Sequence, residues 1–122
     1  MNTDVHRGAL DAIERLLNRG GEPDDVLRAV VGVLHERLPH LERVWIEFIE
    51  RDGRVVGPTV GESASQPART FPVRFQAADV AALAVPERLL RNHDADLLER
   101  VATIIAPYCL VGWDTGGEPW AP

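Results

Sequence analysis

The stretch Arg43–Val60, RVWIEFIERDGRVVGPTV, contains two apolar runs that are separated by a short polar segment. The first run alternates with a period of two, which is typical of a half-buried strand. Its two faces are Val44, Ile46 and Phe48 on one side, and Trp45, Glu47 and Ile49 on the other. Glu50–Gly53 is a turn, because Asp-Gly is a strong hairpin pair. The sequence therefore predicts a β-hairpin whose return strand is Arg54–Val60.

Two helices are predicted before this hairpin. The first has apolar residues at helical spacing, namely Leu10, Ile13, Leu16 and Leu17. Thr3 or Asp4 can cap its start, and Gly20-Gly21 supplies a stop. The second helix begins near Pro23, which is tolerated in a first turn, and ends at Pro39. Its apolar face is Leu27, Val30, Val31, Leu34 and Leu38.

A second pair of strands and a closing helix are predicted after the hairpin. The strands are Arg69–Phe75 and Val80–Val85, with a turn between them and a polar loop before them. The last helix runs from Asp94, a natural N-cap, to Tyr108, and Pro107 frays its final turns. The fold class is therefore α+β: an antiparallel sheet of four or more strands, with two N-terminal helices and one C-terminal helix packed on one face. Residues 1–112 form the domain and residues 113–122 a tail.

Composition excludes several classes of function. The chain has 122 residues, of which 45% are hydrophobic and 26% charged, as in an ordinary single globular domain. Its 13 basic residues are all Arg, and 19 acidic residues give a net charge of −6. This charge argues against nucleic acid and against an anionic membrane as partners. Without Lys, the chain can have neither a Schiff-base lysine nor a phosphate-binding loop that ends in Gly-Lys-Ser/Thr.

The single cysteine, Cys109, excludes an intrachain disulfide and fits a reducing compartment. Neither a signal peptide nor a segment long enough to span a bilayer is expected, so the predicted location is the cytoplasm. We interpret Cys109 as a packing cysteine rather than a redox sensor, because no Arg lies close to it in sequence.

The other chemically interesting side chains are given structural interpretations. The histidines His6, His35, His40 and His93 lack the spacing of metal ligands on one helix face, so we predict solvated surface residues and no metal. Ser63 and Ser65 have no neighbouring histidine in the sequence. The acidic pairs Asp24-Asp25 and Asp94/Asp96 lie at helix starts, where capping and the helix dipole explain them. No cofactor and no catalytic residue are expected.

The order helix, helix, hairpin, further antiparallel strands, helix resembles that of a GAF domain. Val44–Ile49, Gly53 and Val55–Gly61, with their Gly-Pro step, look like the first hairpin of single-domain GAF proteins. Phe71–Phe75 with Val80–Val85 resembles the last hairpin of the family. Residues 94–100 resemble the opening of its C-terminal helix. The likeness covers roughly residues 8–112, and the runner-up is a PAS-like or profilin-like sheet with flanking helices.

The resemblance also sets expectations about activity. The hairpin is most similar to that of the branch that reduces free methionine-(R)-sulfoxide, whose cysteines lie between the second strand and the last hairpin. Here that stretch is only Glu62–Arg69, and it contains no cysteine. In family members that hold small molecules, helices and strands inserted between the second strand and the last hairpin cover the pocket. A short loop cannot cover a pocket in this way. The resemblance therefore implies neither the reductase activity nor a covered ligand pocket.

Three functional hypotheses remain, in this order. The first is a non-enzymatic signalling or interaction domain that forms a homodimer and can dock another signalling protein. Its interface would be formed by the N- and C-terminal helices through Leu10, Ile13, Val101, Ile104, Ile105 and Tyr108. The second is a small-molecule sensor that binds its ligand on the sheet face at Trp45, Glu47 and Arg74. The third is a degenerate relative of the methionine-sulfoxide reductases.

Overall fold

The computed structural model of the chain describes residues 3–63, 67–91 and 93–110. These residues form three α-helices and one sheet of four strands. The helices are α1 (Thr3–Arg19), α2 (Pro23–Arg37) and α3 (Asp94–Ile104), and the strands are β1 (Arg43–Glu50), β2 (Gly53–Gly61), β3 (Ala68–Phe75) and β4 (Ala78–Pro86). Short 3₁₀ turns lie at Pro39–Leu41, Glu87–Leu89 and Ala106–Cys109. The α+β class and the four antiparallel strands agree with the prediction, whereas the predicted tail, residues 113–122, lies outside the described residues.

The strand order in the sheet is β2-β1-β4-β3, and every neighbouring pair is antiparallel. The two hairpins, β1–β2 and β3–β4, therefore join along their first and last strands, which places β2 and β3 at opposite edges. Residues 62–67 connect these edges, which lie three strand spacings, or about 14 Å, apart.

A β-bulge explains the Gly-Pro step in β2. Trp45 pairs with Thr59 and Glu47 pairs with Val56, so Gly57 and Pro58 together oppose Ile46. A Cβ on Gly57 would collide with the ring of Phe48, so this position requires glycine. Pro58, which has no N–H to donate, is accommodated because β2 is an edge strand.

The core lies between one face of the sheet and two helices. Val44, Ile46 and Phe48 of β1 are at most 1% exposed, and they share one apolar cluster with Leu27, Leu34, Leu98 and Val101 of the helices. The alternation predicted for the first strand is thus confirmed. Helix α2 packs on β1 and β2, and α3 packs mainly on β3. Helix α1 packs against α2 and α3, so it forms an outer layer rather than an equal member of the helix face.

The closing helix is shorter than predicted and starts differently. Helix α3 ends at Ile104, and the chain continues as the 3₁₀ turn Ala106–Cys109, because Pro107 cannot extend an α-helix. The N-cap is His93, in the left-handed region with φ 69°, and its side chain makes no capping hydrogen bond. The prediction that Asp94 is the N-cap is wrong. Asp94 is the first helical residue, and its carboxylate has other partners.

Candidate functional site

Asp94 is the one charged or polar side chain that is buried in the described part of the chain, with 1% exposure. Its Oδ1 lies 2.8 Å from Nε2 of His6, and its Oδ2 lies 2.7 Å from Nε2 of His40. The backbone N–H of Arg91 also donates to Oδ2, at 2.8 Å. We call these groups the Asp94 cluster. An ionised carboxylate only accepts hydrogen bonds, so each Nε2 must carry the proton that it donates.

The electrostatics of the cluster follow from its hydrogen bonds. Burial by itself would raise the pKa of Asp94, because desolvation penalises the charged form. The hydrogen bonds from His40, from the Arg91 backbone and from His6 outweigh this effect and hold the pKa of Asp94 below its ordinary value. The carboxylate is therefore ionised at neutral pH, and its charge is satisfied by three donors.

The interpretation of all four histidines as solvated surface residues is wrong for His6 and His40. Their side chains are only 14% and 17% exposed, and both are held by Asp94. His93 is exposed and lies 3.5 Å from Asp96, a geometry that fits the prediction. Sequence spacing could not reveal the cluster, because His6 and His40 lie 88 and 54 residues from Asp94.

The Asp94 cluster fixes the arrangement of the helices. His6 belongs to the first turns of α1, His40 to the 3₁₀ turn after α2, and Asp94 to the start of α3. At the other end, the hydroxyl of Tyr108 donates to the backbone oxygen of Leu17 at 2.8 Å. Helices α1 and α3 therefore run parallel, and hydrogen bonds connect them near both their N-terminal and their C-terminal ends. The Asp94 cluster joins three elements through hydrogen bonds, which is the geometry of a structural cross-link.

The predicted ligand residues on the other sheet face are found in two separate groups. Nε1 of Trp45 donates to Oε2 of Glu47 at 2.9 Å, and Arg54 donates to Oε1 of the same carboxylate at 3.1 Å. The guanidinium of Arg43 lies 4.2 Å from the centre of the Trp45 ring. Both Glu47 oxygens and the indole N–H are therefore already satisfied within the chain.

Arg74 does not join the group around Glu47. It lies on the edge strand β3, and its Nε donates to Asp79 at 2.7 Å. It also lines a shallow cavity of about 300 Å³ between β3 and α3, together with Pro72 and Glu99. A ligand role for Trp45, Glu47 and Arg74 stays a prediction. The structure does not bring the three side chains together, because Arg74 contacts Asp79 instead.

Three of the six predicted interface residues are buried in the chain's own core. Ile13, Val101 and Ile105 are 0% exposed. Leu10, Ile104 and Tyr108 are partly exposed along the line where α1 meets α3. A partner chain could therefore contact only these last three. The dimer itself stays a prediction.

Cys109 is 2% exposed and belongs to the apolar core, as expected of a packing cysteine. Burial raises the pKa of its thiol to about 12, because the thiolate would be desolvated. Thiolate, not thiol, is the reactive species. Burial and the raised pKa therefore both predict a low reactivity of Cys109 in the folded state.

We expect a maleimide or aromatic disulfide reagent to label native Cys109 only as fast as the protein opens. The raised pKa leaves roughly a thousandfold less thiolate than an ordinary cysteine has, and burial blocks access as well. Labelling should become fast in denaturing urea, which serves as the internal control. Rapid stoichiometric labelling of the native protein would show that Cys109 is accessible.

In the described residues, no group of three or more His, Cys, Asp or Glu is arranged to hold a metal ion. Nor does any helix in this part of the chain combine the length and apolar content that crossing a membrane requires. No protein-family model matches the chain, and comparison with curated proteins finds no match either.

Proposed function

We propose that the chain is a non-enzymatic, GAF-like interaction domain of the cytoplasm that pairs with a second copy of itself through α1. The GAF-like part of the proposal is supported by the order of helices and hairpins. The pairing is supported by the outer surface of α1. There, the exposed residues Asp4, Arg7, Asp11 and Arg15 form a row of alternating charge, which we call the α1 stripe.

The α1 stripe has two properties that favour a partner. None of its four side chains makes an ion pair within 4 Å with any described residue. The row is also self-complementary when two copies run antiparallel, because Asp4 then faces the partner's Arg15 and Arg7 faces the partner's Asp11. A parallel arrangement would place like charges together. Two-fold pairing of this kind is the commonest homodimer symmetry.

A stable dimer needs more contact area than the α1 stripe alone supplies. Such interfaces bury about 800 Å² on each partner. Helix α1 has 17 residues and is about 25 Å long, so one face of it supplies only part of this area. The partly exposed Leu10, Ile104 and Tyr108 would supply apolar contact. The charges would then set orientation and register.

Sedimentation velocity at micromolar concentration tests the pairing. We expect the native chain to sediment at twice its 13.5 kDa mass. Arg15→Glu should shift it to monomer, since the introduced carboxylate would face the partner's Asp4. The double variant Asp4→Arg/Arg15→Glu restores opposite charges and should recover the dimer. Arg88→Glu, an exposed change in the 3₁₀ turn Glu87–Leu89, is the matched control.

Two results would overturn the proposal. One is a native chain that remains monomeric at tens of micromolar. The other is an Arg15→Glu variant that keeps the dimer mass, which would place the interface elsewhere. Because charges on α1 also affect the helix itself, circular dichroism of each variant must show that the fold is retained.

A further inference from the structure

A groove of about 330 Å³ lies between α1 and α3, next to the Asp94 cluster. Its apolar floor is formed by Leu10, which is half-buried, and Leu97, which is 6% exposed. Arg7 and Arg100 lie on its two sides, one on each helix. His6 and His93 line the end nearest the start of α3.

Some charged side chains of the groove have an ion-pair or hydrogen-bond partner within the chain, and others do not. Within the described part of the chain, neither Arg7 nor Arg100 makes an ion pair or a hydrogen bond through its guanidinium. The acidic residue of the groove, Asp96, lies 3.5 Å from His93 instead. Nε2 of His6 is engaged by Asp94. Two guanidinium groups are therefore free beside an apolar floor, in a chain whose net charge is −6.

We propose that this groove binds a small amphipathic carboxylate. Arg presents a planar fork of donors that matches a carboxylate in a bidentate arrangement. An aliphatic or aromatic tail on the same molecule would cover Leu10 and Leu97 and remove them from water. The volume of the groove is at the lower end of the range for small-molecule sites. This chemistry differs from the predicted sheet-face site at Trp45. The groove shares Arg7 and Leu10 with the proposed dimer contact, so the site is tested on the monomeric Arg15→Glu variant as well as on the native chain.

Titration with sodium octanoate, followed by ¹⁵N-correlated NMR spectra, tests the site. We expect saturable shifts confined to the amides of residues 6–10 and 93–100. Acetate has the carboxylate without the long alkyl chain, and 1-octanol has the alkyl chain without the carboxylate. Each should therefore bind more weakly than octanoate. Arg100→Ala should weaken octanoate binding by about tenfold, because it removes one charged partner. Arg88→Ala is the matched control and should bind like the native chain.

The test uses Arg100 because Arg7 also belongs to the α1 stripe. Arg100→Lys keeps the charge but not the fork and should have an intermediate affinity, which separates bidentate binding from simple charge attraction. Arg15→Glu, which is expected to be monomeric, leaves Arg7 and Leu10 uncovered and should bind octanoate at least as tightly as the native chain. Loss of the dimer and loss of the octanoate site are therefore distinguishable. The proposal is wrong if millimolar octanoate produces no saturation, if the shifts lie around Trp45 instead, or if Arg100→Ala binds with unchanged affinity.

Discussion

Replacing Asp94 with alanine is expected to lower the free energy of unfolding by about 3–5 kcal/mol. The substitution leaves three donors without their acceptor: the two Nε2–H groups and the backbone N–H of Arg91. The imidazoles of His6 and His40 are mostly buried, so water can only partly replace the lost carboxylate. Urea unfolding monitored by tryptophan fluorescence measures the difference. The loss would be a large fraction of the stability of an ordinary domain.

Asp96→Ala is the matched control for this prediction. Asp96 lies in the same first turn of α3, but its side chain is 79% exposed. Its removal should change the free energy of unfolding by less than about 0.5 kcal/mol. A loss for Asp94→Ala no larger than that of the control would mean that the buried hydrogen bonds contribute no net stability.

The cluster also predicts a pH dependence. The folded pKa of Asp94 lies below its ordinary value of 3.8, so the folded state releases this proton more readily than the unfolded chain does. The stabilisation from Asp94 is therefore fully present above the ordinary value, and it is lost as pH falls through the lower, folded value. Asp94→Asn cannot ionise, so its stability should fall less steeply in this acid range. Parallel slopes for the two proteins would contradict this assignment.

The fold was largely predictable from the sequence because its signals are local. The alternation in β1, the Asp52-Gly53 turn and the helical spacing of Leu27 and Leu34 each depend on neighbours in the chain. The ends of α3 were less predictable. The N-cap is His93 rather than the predicted Asp94, because the side chain of Asp94 accepts hydrogen bonds from two imidazoles instead. A capping preference is worth about 1 kcal/mol, which a buried charged hydrogen-bond network can override.

The candidate site was less predictable because it depends on contacts that no local pattern encodes. His6, His40 and Asp94 come from three elements, and each has an ordinary explanation within its own segment. The predicted interface shows the opposite error. Val101 and Ile105 were predicted to face a partner, but α1 packs against α3 and both side chains are completely buried within the chain. Apolar periodicity identifies which residues leave water, but not whether the chain or a partner covers them.

Phe48 and Gly57 should show a strong energetic coupling across the β1–β2 hairpin. Phe48 is 1% exposed, so Phe48→Ala is expected to lower the free energy of unfolding by about 3–5 kcal/mol through lost burial and a cavity. Gly57→Ala introduces a Cβ that collides with the Phe48 ring and lies 3.3 Å from the backbone oxygen of Ile46. We expect this single change to cost about 1–3 kcal/mol through overpacking.

The double variant Phe48→Ala/Gly57→Ala decides whether this contact is the reason for glycine in the bulge. Once the ring is removed, the new methyl has space, so the combined loss should be smaller than the sum of the two single losses by about 1 kcal/mol or more. Val56→Ala is the matched control on the neighbouring residue, which is 51% exposed and should change stability little. Strict additivity in urea unfolding would show that Gly57 is required by the backbone of the bulge rather than by the aromatic ring.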